Sequence, residues 1–210
     1  MSSDMLVVVR GEFSMEDPWA IPSACDPVRL RRATDGKAPR LSTTVSAYYD
    51  DEYITVVFCG ADDHVVATLF GRDEPLYRED VVEVFLAPHE GIEYFELEVN
   101  PVGTIFDARI ESPDGVRDTM RTDTGWNCAG LVAAVRKDIS VDRMSIDTVL
   151  RIPFACIGER PLNGATWRAN FFRIDRHPSE GDEYSAWRPT MRRPADFHVV
   201  ECFGRIIFQR

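Results

Sequence analysis

Pro75–Asn100 reads PLYREDVVEVFLAPHEGIEYFELEVN, and its alternation decides the fold. Successive side chains of a strand point to opposite faces of a sheet. In Tyr94–Asn100, Phe95, Leu97 and Val99 therefore share one face, and Tyr94, Glu96, Glu98 and Asn100 share the other. In VVEVFLA (Val81–Ala87), Glu83 stands between Val82 and Val84 and shares its face with Val81 and Phe85. The two runs predict two strands joined by a hairpin connection. A sheet face that bears Glu83, Glu98 and Asn100, with an aromatic at its rim, suits a polyhydroxylated ligand.

Working outward, similar runs recur at short spacing and long helical periodicity is missing. Strands are expected at Leu6–Val9, Ser42–Tyr49, Tyr53–Cys59, Leu131–Lys137, Ser145–Ile152, Trp167–Asp175 and Arg205–Gln209, and after the decisive stretch at Ile105–Ile110. Asp50-Asp51-Glu52 and Pro101-Val102-Gly103 read as hairpin turns, and Asn163-Gly164 as another turn. Pro153–Gly158 suits a short helical turn. Glu111–Gly125 and Asp175–Ser185 read as loops. Trp187–Cys202 contains Pro189 and Pro194, which cannot donate to a ladder, yet carries Trp187, Phe197 and His198; such a loop caps a core or walls a pocket. Many short strands imply an all-β, antiparallel β-sandwich of jelly-roll or immunoglobulin-like topology with long loops. With 210 residues, no internal repeat and uniform composition, 1–210 reads as one domain.

Composition narrows the partners. A net charge of −11 argues against nucleic acid or an anionic membrane. An acidic surface is compatible with neutral sugars or cations, and equally serves solubility alone. No apolar run reaches membrane-spanning length. MLVVVR at the N-terminus is too short for a signal-peptide core, so the expected compartment is cytoplasmic unless a leader has been removed. Five dispersed cysteines do not read as a disulfide framework, and Cys59 and Cys156 are expected to be small buried hydrophobes. No His/Cys cluster has zinc spacing.

These segments together resemble the family 9 carbohydrate-binding modules, within the wider DOMON-like group. The likeness is carried by YYDDEYITVVF (Tyr48–Phe58), EDVVEVFLAP (Glu79–Pro88), YFELEVNPVGTIFDARI (Tyr94–Ile110), IPF (Ile152–Phe154), WRANFFRID (Trp167–Asp175), SAWRPT (Ser185–Thr190) and DFHVVECFGRIIF (Asp196–Phe208). The resemblance implies non-catalytic binding of a mono- or oligosaccharide between two aromatic rings, with sheet carboxylates and amides on its hydroxyls. Carried over by position, the rings fall on Tyr77 and Phe197, and the hydroxyl-binding groups on Glu83 and Asn100. The better-studied type has two tryptophans, and an arginine where Glu98 stands here. The resemblance implies no cofactor, although it allows structural calcium; no ligand loop is assignable. A ring over the C–H face of a pyranose and carboxylates on its hydroxyl rim form a sound recognition pair.

Other candidates carry two readings each. Glu83 and Glu98 are either ligand groups or solvated residues of an exposed face. Arg168 and Asn170 share one face of WRANFFRID and either contact ligand or hold structure; at least one arginine of this strand is expected to pair with a carboxylate near the interior. His198 is a hydrogen-bonded structural histidine or a ligand contact. Trp187 is an anchor or a wall. Three other functions remain open. One is an interaction domain that keeps the sandwich without the sugar site. Another is a glycoside hydrolase, for which Glu96 and Glu98 read as solvated and without an environment that raises a pKa. The third is a haem domain using some of His64, His89, His177, His198 and the methionines.

Overall fold

The computed structural model describes residues 4–88, 93–140 and 143–210. The connection at 89–92, His89 included, lies outside the described residues.

All ten expected strands form, with ends within three residues of those read from alternation. They are β1 (Met5–Arg10), β4 (Thr43–Tyr49), β5 (Tyr53–Asp62), β6 (Val81–Ala87), β7 (Glu93–Val99), β8 (Ile105–Glu111), β10 (Val132–Ile139), β11 (Met144–Pro153), β12 (Thr166–Asp175) and β14 (Gly204–Gln209). Four short strands were not expected: β2 (Val28–Arg29), β3 (Arg31–Arg32), β9 (Arg121–Asp123) and β13 (Glu183–Ala186). β9 and β13 lie in the segments read as loops, and all four are too short for alternation to register. One helical turn, α1 (Phe154–Ile157), follows β11 as expected.

The main strands pair in the order β10-β11-β5-β4-β1-β14-β12-β6-β7-β8-β9. Pairing is antiparallel except that β1 runs parallel to both β14 and β4. The path folds back on itself, so β11, β5 and β4 face β12, β6 and β7 across one apolar core. Val45, Ala47, Ile54, Val56, Phe58, Leu150 and Ile152 come from one layer, and Val84, Leu86, Leu97, Val99, Ala169 and Phe171 from the other. The ring of Phe58 meets that of Phe171 edge-on at 6.3 Å across this core. The result is a nearly all-β sandwich.

The β12–β6–β7–β8 layer is also covered on its outer side. Phe85, Tyr94, Phe106, Ala108, Phe172 and Ile174 on that face pack with Phe197 and Phe203 from the stretch after β13. The aromatic loop therefore does pack over the sheet: Phe197 stacks on Phe172 with centroids 4.1 Å apart. Polar residues on this face consequently sit in an interior, whereas the outer face of an antiparallel sheet commonly meets water.

Local chemistry sets the turns. The Asp50 carboxylate accepts from the backbone N–H of Glu52 and Tyr53, both at 2.8 Å, which closes the β4–β5 hairpin. Arg173 of β12 is the interior arginine that the sequence led us to expect: it donates to Asp62 at 2.8 Å and to Asp175 at 2.6 Å. All five cysteines are free. Cys59 and Cys156 are half-buried rather than sealed, and Cys128 is the buried one.

Candidate functional site

The outer face of β6 and β7 forms the floor of a cleft of about 770 Å³. Glu83 of β6 is the cross-strand partner of Glu98 of β7, and Glu96 follows on the same face two residues away. One oxygen from each of the three carboxylates lies within 4.8 Å of the other two. They are only 2%, 6% and 1% exposed for Glu83, Glu96 and Glu98, so neither solvated reading holds. Their neighbours across the ladder explain the burial: Phe172 stands opposite Glu83, Phe106 opposite Glu98, and Ala108 opposite Glu96.

Like charges placed directly opposite one another on a sheet destabilise it, and a buried carboxylate disfavours its charged form. Burial accordingly pushes the Glu83 carboxyl well above its ordinary range, and the nearby Glu96 charge adds to this. Glu98 is raised likewise by burial and then by Glu83 and Glu96. Burial raises Glu96 to about 7. Oε1 of Glu83 and Oε2 of Glu98 are buried with no hydrogen-bond partner among the described residues.

The charges of Arg176 and Arg117 only partly offset the rise of Glu83 and Glu96, because both arginines are held on the cleft wall by other partners. The Nε2 atom of His198 is 3.8 Å from Glu96. Burial, however, depresses the His198 pKa to about 4, so the ring is neutral at pH 7. Its Nδ1 lies 2.7 Å from the Tyr94 hydroxyl, and its backbone N–H donates to Asp196 at 3.0 Å. Arg117 on the cleft wall donates to Asp196 at 2.8 Å. Arg176 donates to the Tyr184 hydroxyl at 2.7 Å and to the Tyr77 carbonyl at 2.6 Å, and pairs with Asp182, while its Nε has no partner.

The wall aromatics differ from each other. Tyr77 sits in a single 3-10 turn, Leu76–Arg78, opened by Pro75. Leu76 is fully buried and anchors the turn, which leaves the Tyr77 ring outside at 49% exposed. Asp80, next along, accepts backbone N–H groups of Val66 and Arg176 at 2.6 and 2.7 Å, and its own burial lifts its pKa to about 6. Phe197 lines the cleft but is 7% exposed, with one face against Phe172 and Tyr184 edge-on at 6.1 Å. The expected pair of free rings is thus corrected to one exposed ring and one that is largely packed.

Five expected site residues meet at this cleft: Tyr77, Glu83, Glu98, Phe197 and His198. Four do not. Asn100 builds the turn after β7: its Nδ2 donates to the Leu69 carbonyl at 2.8 Å, and its Oδ1 accepts from Thr104 and Val102. Asn170 is fully buried and holds Arg188 by both its carbonyl and its N–H, each at 2.9 Å. Arg168 donates to the carbonyls of Val200, Glu201 and Phe203 and so fastens the turn before β14. Trp187 is fully buried, stacked on Phe171, over Gly204, where a Cβ would come within 2.5 Å of the indole. The physical reason is common to the four: each side chain is spent on backbone or core before it can reach the cleft.

Glu96, Arg117, Arg176 and Asp73 are the site residues that the sequence reading passed over. For Glu96 the signal was present, since it shares the period-two face of Tyr94 and Glu98. The arginines and Asp73 come from turns whose placement alternation does not encode. The haem reading finds no support in the histidines: His64 and His177 pack against each other at 5.3 Å and do not line the cleft. Among the described residues, the three glutamates are the only set of three or more Asp, Glu, His or Cys side chains close enough to share an ion. No helix of the described residues is long and apolar enough to cross a membrane.

Solved structures share the fold. A putative carbohydrate-binding protein from Bacteroides uniformis superposes with a TM-score of 0.70 at 18% identity, covering 98% of this chain and 99% of that one. A family 9 module from Caldicellulosiruptor kristjanssonii in complex with cellotriose gives 0.62 at 14% identity, covering 98% and 93%. The same kind of module in complex with glucose gives 0.63 at 14%, covering 98% and 96%. No curated protein matches the chain. The sequence profile of carbohydrate-binding family 9 matches residues 36–208, which take in every strand from β4 to β14 except the last residue of β14. The chain belongs to carbohydrate-binding family 9.

Proposed function

We propose that this protein binds a mono- or oligosaccharide, without catalysis, in the cleft over β6 and β7. Family 9 modules are non-catalytic carbohydrate-binding domains, and the structural neighbours from Caldicellulosiruptor kristjanssonii hold cellotriose and glucose. The observation that carries the reading is one exposed ring, Tyr77, at the wall of a cleft floored by carboxylates with unpaired oxygens. The ring covers the C–H face of a sugar, and the carboxylates accept from its hydroxyls. Sugars lose strong hydration on binding, so dissociation constants of about micromolar to millimolar are expected. Sugar binding of this kind needs no cofactor.

One observation favours a second reading, an interaction domain that has lost the site: Phe197 is packed on Phe172 where a free second ring was expected. Isothermal titration against a broad panel of mono- and oligosaccharides separates the two. Saturable heat whose affinity weakens in Tyr77→Ala supports the sugar cleft; no heat from any sugar at high concentration supports the second reading.

A further inference from the structure

We propose that the cleft prefers a sugar bearing a free primary amine, its ammonium group seated among Glu83, Glu96 and Glu98. The inference rests on the sugar-binding reading and names the class of sugar.

Three observations converge on it. The floor presents three carboxylates, and the cations near it bond elsewhere: Arg117 to Asp196 and Arg176 to Asp182 and Tyr184, so their charges only partly offset Glu96 and Glu83, and the His198 ring is neutral. Two of the carboxylates, 2% and 1% exposed, each keep a buried oxygen without a partner. A neutral sugar hydroxyl satisfies one acceptor, whereas an ammonium supplies three donors together with a charge that favours the ionised form of these buried carboxyls. The three carboxylates are also close enough to share one donor group: an ammonium has three donors, and one oxygen from each carboxylate lies within 4.8 Å of the other two.

The same face argues against a calcium ion in that position. Calcium takes about six to eight oxygens, many of them from loop carbonyls. Apart from the Glu83–Glu98 pair itself, the ladder partners of the three glutamates are Phe172, Phe106, Ala108 and Phe85, none of which offers a side-chain oxygen. The strand carbonyls beside them face their neighbours in the ladder. Above the floor, Tyr77, Phe106, Ile174 and Pro194 give apolar wall for the body of a pyranose.

The test is isothermal titration in chelator-treated buffer near pH 7. Its ligands are glucosamine and fully deacetylated glucosamine oligomers, their N-acetylated counterparts, glucose and cellotriose; a separate titration uses calcium chloride. The amine-bearing sugars are expected to bind about ten-fold or more tightly than the acetylated and neutral ones. Glu98→Gln and Glu96→Gln, each checked for an intact cooperative melt, should collapse that ratio toward one. Neutral sugars binding as tightly as the amines would overturn the amine preference and leave the sugar cleft standing. Binding of no sugar at all would overturn both readings. Calcium that binds alone, and that neutral sugars then require, would overturn the amine in favour of a metal ion.

Discussion

Two clusters of buried charge lie on the β12–β6–β7 layer, and they are built in opposite ways. On β12, Arg173 is surrounded by acceptors: Asp62 at 2.8 Å, Asp175 at 2.6 Å, the Thr43 hydroxyl at 3.0 Å and the Ala61 carbonyl at 2.7 Å. Arg40 closes the far side of Asp175 at 3.0 Å. Burial still lifts the Asp62 carboxyl, but the Arg173 charge works against that rise. On β6 and β7, Glu83, Glu96 and Glu98 have the same burial and no such partner. The contrast separates a cluster made to hold a fold from one whose charge is left for something outside the chain. Buried polar groups in native proteins are almost always satisfied, so an unsatisfied set at the floor of a cleft is a candidate for ligand contact rather than for packing.

Removing one member of the compensated cluster should give the largest effect. Arg173→Met removes the cation shared by Asp62 and Asp175, leaving only Arg40 on the far side of Asp175, and should destabilise the fold by about 3–5 kcal/mol in urea unfolding. A loss under about 1 kcal/mol would mean that water or Arg40 already compensates the two aspartates, and the contrast would weaken. Phe197→Ala belongs beside it. A ring stacked on Phe172 at 4.1 Å and 7% exposed is part of the packing, and its removal should cost about 3 kcal/mol or more.

Neutralising the uncompensated cluster should act with the opposite sign. Glu98→Gln removes a like charge directly opposite Glu83, and should stabilise by about 1 kcal/mol at pH 8. The pH dependence follows from linkage. A glutamate whose folded pKa lies above its unfolded value near 4.5 binds more protons in the native state, so it costs nothing below that pH. Its cost grows as pH rises through about 7 for Glu96, and further for Glu83 and Glu98. The slope is at most about 1.4 kcal/mol per pH unit for each glutamate. His198 works in the other direction. Its pKa falls from 6.5 to about 4 on folding, so its stabilising share is complete above 6.5 and is lost as pH drops toward 4. Arg117, Arg176, Asp73 and Asp196 also line this cleft and set the background field. Above pH 6.5 the Asp80 carboxyl, lifted to about 6, has largely ionised, so the glutamates dominate the change. Wild-type stability should fall there, and Glu98→Gln should flatten the fall; parallel pH curves for the two proteins would sink the assignment.

Much of this contrast was legible in the sequence, and the illegible part has a physical cause. Alternation in Val81–Ala87 and Tyr94–Asn100 placed Glu83, Glu96 and Glu98 on one face, because a period of two survives in any half-polar strand. It could not show that the face is covered. That depends on Phe197 and Phe203, more than ninety residues along the chain, folding back onto Phe85 and Phe172. The same alternation put Asn100 on the glutamate face and so mistook a turn-builder for a ligand group. Asn-Pro-Val-Gly was the better signal there, since the asparagine side chain closes its own turn. Arg168 and Asn170 failed for a related reason: strand phase tells which way a side chain leaves the sheet but not which backbone waits for it.

The smallest effect on stability should come from the residue proposed as the sugar platform. Tyr77 is half-exposed, and the hold on its turn comes from elsewhere, with Leu76 buried beneath and Arg176 on the Tyr77 carbonyl. Tyr77→Ala removes neither hold, so its midpoint in urea should stay within about 0.5 kcal/mol of wild type. Its saccharide affinity should nevertheless drop by about 0.5–1.5 kcal/mol, the worth of one ring face over a pyranose. Phe197→Ala reverses the pattern, with a large loss of stability. If Tyr77→Ala unfolds as easily as Phe197→Ala, the wall of the cleft is a single packed unit and no free platform exists. If it keeps both its stability and its affinity, the sugar lies over the carboxylates without the ring, and the glutamates alone must account for recognition.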